Sequence, residues 1–216
     1  MIGLTPQLLL GAYASGVFPM AKSRAEKDLY WIDPDVRGIL PIDQFHIPRR
    51  LRKTLRQAPF RVACDQDFAG VVRACAEETG NRPETWINPE IERLYESLHD
   101  MGFAHSVECW RGPDLVGGLY GVAMGGAFFG ESMFSLESDA SKVALCHLVA
   151  RLAAGGYKLL DTQFVTDHLG QFGAIEISRA DYKKRLADAL KAEAQFPSEL
   201  SSGAVETFIQ SITQMS

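Results

Sequence analysis

The sequence predicts an α+β fold, a small N-terminal subdomain beside a larger unit with a mixed, largely antiparallel sheet, and three observations carry that prediction. AHSVECW, LVGGLYGVAM and GAFFGESMF are short alternating or apolar runs joined by turn-like RGPD and MGG, the pattern of an antiparallel meander. SDASKVALCHLVARLAAGG places Val143, Leu145, Leu148, Val149 and Leu152 on one helical face and stops at Gly155 and Gly156. YKLLDTQFV then returns to strand character, so a long helix separates the meander from a further strand.

The elements follow in order. Thr5 caps a first helix, TPQLLLGAYASG, with Pro6 in its first turn and Gly16 at its end. FPMAKSRAEKDLYWIDPDVRGILP reads as loop with short strand pieces, punctuated by Pro19, Pro34 and Pro41. HIPRRLRKTLRQAPFR forms a basic helix. Arg49, Arg52, Lys53 and Arg56 fall at i, i+3, i+4 and i+7 and share a face, while Leu51 and Leu55 lie on the other. These segments make an N-terminal subdomain, residues 1–59. A strand (60–64), a helix (67–78), a Pro-bounded loop containing Trp86 and a helix (89–102) come next, before the meander. Ser138 or Asp139 caps the long helix. After YKLLDTQFV, VTDHLGQFG is a short helical turn, AIEI a last strand and SRADYKKRLADALK a capped helix. This order is that of an acetyltransferase-like (GNAT-type) fold over residues 60–192. Residues 193–216, small and polar after Phe196, are expected to form a loosely attached extension.

The net charge of −5 argues against a protein coated in basic surface, yet the basic helix and its flanks hold six Arg and Lys without one acid. That stripe is either a solvated face or the footprint of a phosphate backbone. No basic, apolar leader opens the chain and no run approaches the roughly 18 apolar residues of a membrane span, so a cytoplasmic protein without a membrane partner is expected. Cys64, Cys75, Cys109 and Cys146 are scattered, and His46, His105, His147 and His168 lack ligand spacing. Reduced thiols, no metal and no cofactor are expected. An acetyltransferase using coenzyme A opens its central helix with a Gly-rich turn that wraps the pyrophosphate. SLESDASKVAL has no glycine there and two acids, which disfavours that donor.

Two buried-looking runs carry carboxylates: Glu131 in FFGESMFS and Asp161 in KLLDTQF, the latter followed by Gln163. Burying an unpaired carboxylate is costly, so each is partnered, neutralised or at work. On a strand Asp161 and Gln163 project from one face and can touch one ligand, while Thr162 points away. A carboxylate bonded to backbone N–H groups and a structural hydrogen-bonded pair are the alternatives.

FFGESMFS, LLDTQFVTDHLGQFGA, AHSVECW, LVGGLYGVA, ETWI, YWIDPDVRG and AYASGVFPM together resemble the bacterial leucyl/phenylalanyl-tRNA protein transferases, in unbroken order from about Leu8 to about Leu190. The resemblance implies transfer of Leu or Phe, and less readily Met, from aminoacyl-tRNA to the α-amino group of proteins beginning with Arg or Lys. It implies a small N-terminal domain on an acetyltransferase-like one; a monomer is expected. It puts Glu131, Asp161 and Gln163 in the catalytic cleft. Gln163, oriented by Asp161, would draw the proton from the attacking amine, or Asp161 would hold the amine's charge, and Glu131 would fix the donor's α-amino group. Leu119, Phe128, Met133, Leu145, Leu148 and Leu160 would wall the side-chain pocket, with Leu119 where Met is frequent. Trp86 and Met20 would meet the terminal adenosine, and Arg49, Arg52, Lys53 and Arg56 the acceptor stem. A coenzyme A-dependent N-acetyltransferase and a non-catalytic module binding tRNA ends or N-degrons are the competing readings.

Overall fold

In the computed structural model of the chain, which describes residues 4–26, 28–78 and 84–214, the meander is the centre of a seven-stranded sheet. Part of the Pro-bounded loop before Trp86 and both chain ends lie outside the described residues. The chain opens with α1 (Pro6–Ala14), started by Thr5, whose hydroxyl accepts from the Leu8 N–H. Strands β1 (Phe18–Met20) and β2 (Tyr30–Ile32) pair as a two-stranded ribbon, followed by β3 (Val36–Ile39) and the basic helix α2 (Arg49–Gln57). Next come β4 (Arg61–Cys64), α3 (Phe68–Ala76) and α4 (Pro89–Asp100), the last two capped by Asp67 and Asn88 side chains. The meander is β5 (Ala104–Arg111), β6 (Asp114–Met124) and β7 (Ala127–Ser135), and α5 (Ala140–Ala154) leads to β8 (Leu159–Gln163). The turn α6 (Asp167–Gly170), β9 (Ile175–Ser178), α7 (Arg179–Ala189) and α8 (Ser202–Gln214) complete the described chain.

The strand order is β4-β5-β6-β7-β8-β3-β9, antiparallel throughout except for the parallel pair β7 and β8, which α5 connects. A mixed, mostly antiparallel α+β sheet is therefore present. Its two faces bury separate clusters. Leu9, Val71, Leu98, Tyr120, Phe129 and Leu186 pack on one side, under α1, α3, α4 and α7. Leu119, Phe128, Leu145, Leu148, Leu160 and Phe172 pack on the other, under α5.

Three local expectations change. β3, from the segment expected to stand apart at the N-terminus, lies inside the main sheet between β8 and β9. Asp139 occupies the cap position of α5 but in a left-handed conformation (φ 67°), and its carboxylate binds Lys142 and Thr54 rather than the helix's N–H groups. The C-terminal extension is helical and packed: Val205 and Ile212 of α8 are buried, and Ile212 belongs to the α5 cluster, with Phe208 and Ile209 packed against it. That covering helix explains why α5 is buried almost all round instead of on one face.

Candidate active site between two diverging strands

β7 and β8 pair only at Ala127↔Leu159, Phe128↔Leu160 and Phe129↔Asp161, although β7 continues to Ser135. From Gly130 onward β7 keeps β6 on one side and, among the described residues, has no strand on the other. The resulting gap opens into a cavity of about 510 Å³ that reaches both faces of the sheet. On the α5 face its walls are Leu119, Met133, Leu145, Leu148, Leu160 and Leu169; on the other they include Phe18, Met20 and Trp86. Glu131, Thr162 and Gln163 line the passage.

A β-bulge aims Glu131. Tyr120 pairs with Ser132 and Gly121 with Gly130, leaving Glu131 as the unmatched residue of β7. Gly121 is required there, because a Cβ would come within 2.3 Å of the Phe129 carbonyl oxygen. The Glu131 carboxylate meets the Tyr13 hydroxyl at 2.6 Å and the Tyr95 hydroxyl at 2.7 Å, and these hydroxyls are 2.6 Å from each other. Burial, with a smaller push from the Asp161 charge, outweighs the pull of the tyrosine hydrogen bonds and of Arg37 and leaves the carboxyl raised to about 7. The ring has three contacts, and only a protonated Glu131 supplies a third hydrogen to fill them.

Asp161 is fully buried and lies behind the cavity rather than on its wall. Its oxygens accept from Arg37 Nε at 2.9 Å, Arg37 Nη2 at 2.6 Å, the Tyr182 hydroxyl at 2.8 Å and the Gln163 backbone N–H at 2.9 Å. Arg37 is itself 1% exposed and sandwiched by the Phe18 and Tyr182 rings. Burial disfavours its charge, but the Asp161 pairing outweighs this and leaves its pKa raised.

Gln163 ends β8 in a left-handed conformation (φ 57°), which breaks the alternation expected of a strand. Thr162 and Gln163 therefore both border the cavity, and Asp161 does not share their side. The N–H bond from Gln163 to Asp161 holds this turn, which a non-glycine residue adopts at a cost of about 1–2 kcal/mol. Thr162 Oγ1, Gln163 Nε2 and His168 Nε2 are buried without a hydrogen-bond partner and all belong to cavity-lining residues. Unpartnered polar groups in a native structure call for an explanation, and a ligand in the cavity these residues line would supply one.

Of the expected site residues, Trp86, Met20, Leu119, Met133, Leu145, Leu148, Leu160, Glu131 and Gln163 converge on this cavity. Phe128 does not border it: its ring packs on Tyr157 and Phe196 at the closed end of the strand pair. Arg49, Lys53 and Arg56 are exposed on α2 and Arg52 is half-buried, its Nε bonded to the Ile47 carbonyl. Sequence reasoning missed Arg37, Tyr13, Tyr95, Tyr182 and His168. Arg37 carried a readable signal, being a lone charge in the apolar strand run VRGIL.

A family model described as leucyl/phenylalanyl-tRNA protein transferase matches residues 39–187, and one for the N-terminal domain of the same transferases matches residues 3–35. A relative from Maricaulis maris is 60% identical over the full length of both chains. Another, from Paramagnetospirillum magneticum, is 64% identical over 89% of this chain and 92% of its own, and one from Rhodospirillum rubrum is 59% identical over 91% and 92%. All three are named leucyl/phenylalanyl-tRNA–protein transferase. With its diverging strands, its apolar slot and matches along nearly its whole length, the chain belongs to the leucyl/phenylalanyl-tRNA protein transferase family.

Proposed function

We propose that the protein transfers Leu or Phe, and less readily Met, from aminoacyl-tRNA to the α-amino group of proteins beginning with Arg or Lys, as a cytoplasmic monomer. The observation that carries this reading is the passage between β7 and β8. It joins an apolar slot to an aromatic-lined mouth, with unpartnered polar atoms of Thr162 and Gln163 where the two meet. A Leu or Phe side chain fits the α5 face, where Met133 adapts to either shape. The terminal adenosine lies against Trp86 and Met20, and the ester carbonyl falls at the crossing. In this arrangement residues 60–192 form an acetyltransferase-like unit to which β3 contributes from the N-terminal segment.

The acceptor nitrogen attacks the ester carbonyl carbon, the tetrahedral intermediate collapses, the C–O bond to the tRNA ribose breaks, and the leaving oxygen takes a proton as the amine loses one. The ester is already activated and an α-amine with pKa near 7.7–8.0 is partly neutral, so positioning supplies most of what is needed. Gln163 offers its amide to the incoming amine. Asp161 acts through Gln163, fixing its backbone, and touches no substrate. Glu131 receives the donor's α-ammonium, trading its own proton for that charge.

Incubation with labelled Leu-tRNA, Phe-tRNA or acetyl-coenzyme A and a peptide beginning with Arg tests the reading. Label entering the peptide only from the tRNAs supports it. Label from acetyl-coenzyme A, or tRNA binding without transfer, replaces it with one of the competing functions. Against coenzyme A stands the opening of α5, where Glu137 and Asp139 would face a pyrophosphate.

A further inference from the structure

A second cavity, of about 220 Å³, lies on the far side of α5 from the donor slot. Leu55 of α2, Val62 of β4, Val143 of α5 and Val205 of α8 supply apolar walls, and the polar lining is His147 and Arg151 of α5. Arg151 is only 4% exposed. Its Nη1 reaches the His147 carbonyl at 3.3 Å and the guanidinium also bonds the Cys64 thiol, but its Nε is buried with no hydrogen-bond partner. Among the described residues no carboxylate lies within ion-pair distance of it. A buried guanidinium without a counter-charge is an expensive feature, and the same residue borders this cavity. We propose that this cavity binds a small monocarboxylate with an apolar tail, its carboxylate paired with Arg151 and its tail against Leu55, Val143 and Val205.

The chemistry of the walls selects that class. A phosphate would bring two charges and four oxygens to a chamber that offers one guanidinium and one imidazole. A free amino acid would bring an ammonium beside Arg151 with no acceptor to receive it. A neutral apolar molecule would leave the guanidinium unpaired. A monocarboxylate neutralises the cation, accepts from the guanidinium and covers the hydrocarbon surface. His147 stays neutral beside it, because burial and the Arg151 charge hold its pKa down near 4, so the site carries a single positive charge to match.

The test uses full-length protein with hexanoate, hexanol and inorganic phosphate at equal concentration and constant ionic strength, followed by thermal unfolding and calorimetry. Near saturation hexanoate should raise the Tm by about 3–6 °C, and hexanol and phosphate by under about 1 °C. The shift should survive saturation of the donor slot with a non-transferable Phe amide of adenosine, which separates the two cavities. Arg151→Met should abolish it. If that variant does not fold, Val143→Phe fills the chamber while keeping the guanidinium and should abolish it equally. No shift with hexanoate, an equal shift with hexanol or phosphate, loss of the shift on filling the donor slot, or an undiminished shift in Arg151→Met or Val143→Phe overturns the proposal.

Discussion

Removing the Asp161 carboxylate would leave the Arg37 guanidinium buried without its partner, a change that costs about 3–5 kcal/mol, whereas removing the Gln163 amide orphans no charge. The two substitutions should therefore separate. Gln163→Ala is expected to lose about 100-fold in kcat at nearly unchanged stability, the scale of one lost transition-state contact. Asp161→Asn should lower both, and Arg37→Met combined with Asp161→Leu should recover stability without recovering transfer. Urea unfolding beside steady-state kinetics checks all three, and full activity in the double variant would show that Asp161 is not needed to shape Gln163. Glu131 yields a pH prediction. Its folded pKa is raised from 4.5 to about 7, so the native state holds more protons than the unfolded state across that interval. Its stabilising contribution is complete below about 4.5 and is lost as pH rises through about 7. The stability difference between wild type and Glu131→Gln should fall over that window and level off above it; a difference independent of pH would contradict the raised pKa. Both carboxylates were legible in the sequence as charges in apolar runs. Their partners were not, because Tyr13, Arg37 and Tyr182 are more than 20 residues away in the chain, and the left-handed Gln163 that turns Thr162 inward has no signature in the letters LDTQF.

Strand β3 is where the N-terminal segment enters the main sheet, and Gly38 is the position that permits it. Gly38 pairs with Gln163, and a Cβ on it would lie 2.6 Å from the Phe164 carbonyl carbon and 2.8 Å from the Val165 nitrogen. These are backbone atoms, which a rotamer change cannot move aside. Gly38→Ala is expected to destabilise by about 1–3 kcal/mol and to displace the turn that carries Gln163. A misplacement near 1 Å costs about 100-fold in rate, so kcat should fall well beyond what the stability loss explains at a temperature where the variant is fully folded. A variant that is less stable yet transfers at the wild-type rate would show that the turn tolerates the shift. The glycine in VRGIL hinted at a close backbone approach, but the neighbours of a four-residue strand are set by pairing across more than 120 residues, which composition does not encode. Helix α8 is the opposite case. Val205, Phe208, Ile209 and Ile212 recur at helical spacing, and the last three pack toward the α5 cluster, so the pattern was present and the polar residues between them concealed it.

The molecule is acidic overall, yet α2 presents Arg49, Arg50, Lys53 and Arg56 to solvent and buries Leu51 beneath them. Thr54 bonds the Asp139 carboxylate at the start of α5, and the same α5 carries Leu145 and Leu148 in the wall of the proposed donor slot. A tRNA held on the basic face would thus be indexed to the slot through one packed helix. Phosphate contacts of this kind position a nucleic acid without reading it, and each one makes affinity fall with salt by about 0.7–0.9 log units per tenfold rise in concentration. Neutralising Arg49 and Lys53 together should flatten that slope by about two contacts and raise KM for every tRNA carrying Leu or Phe. Both side chains are exposed, so the fold should be indifferent to the change. The decisive comparison is with a Phe ester of adenosine, which enters the same slot but has no stem to hold. Its transfer should be unaltered in the double variant, at any salt concentration. Equal losses on the full tRNA and on the minimal donor would locate the damage in the cleft and remove α2 from tRNA recognition.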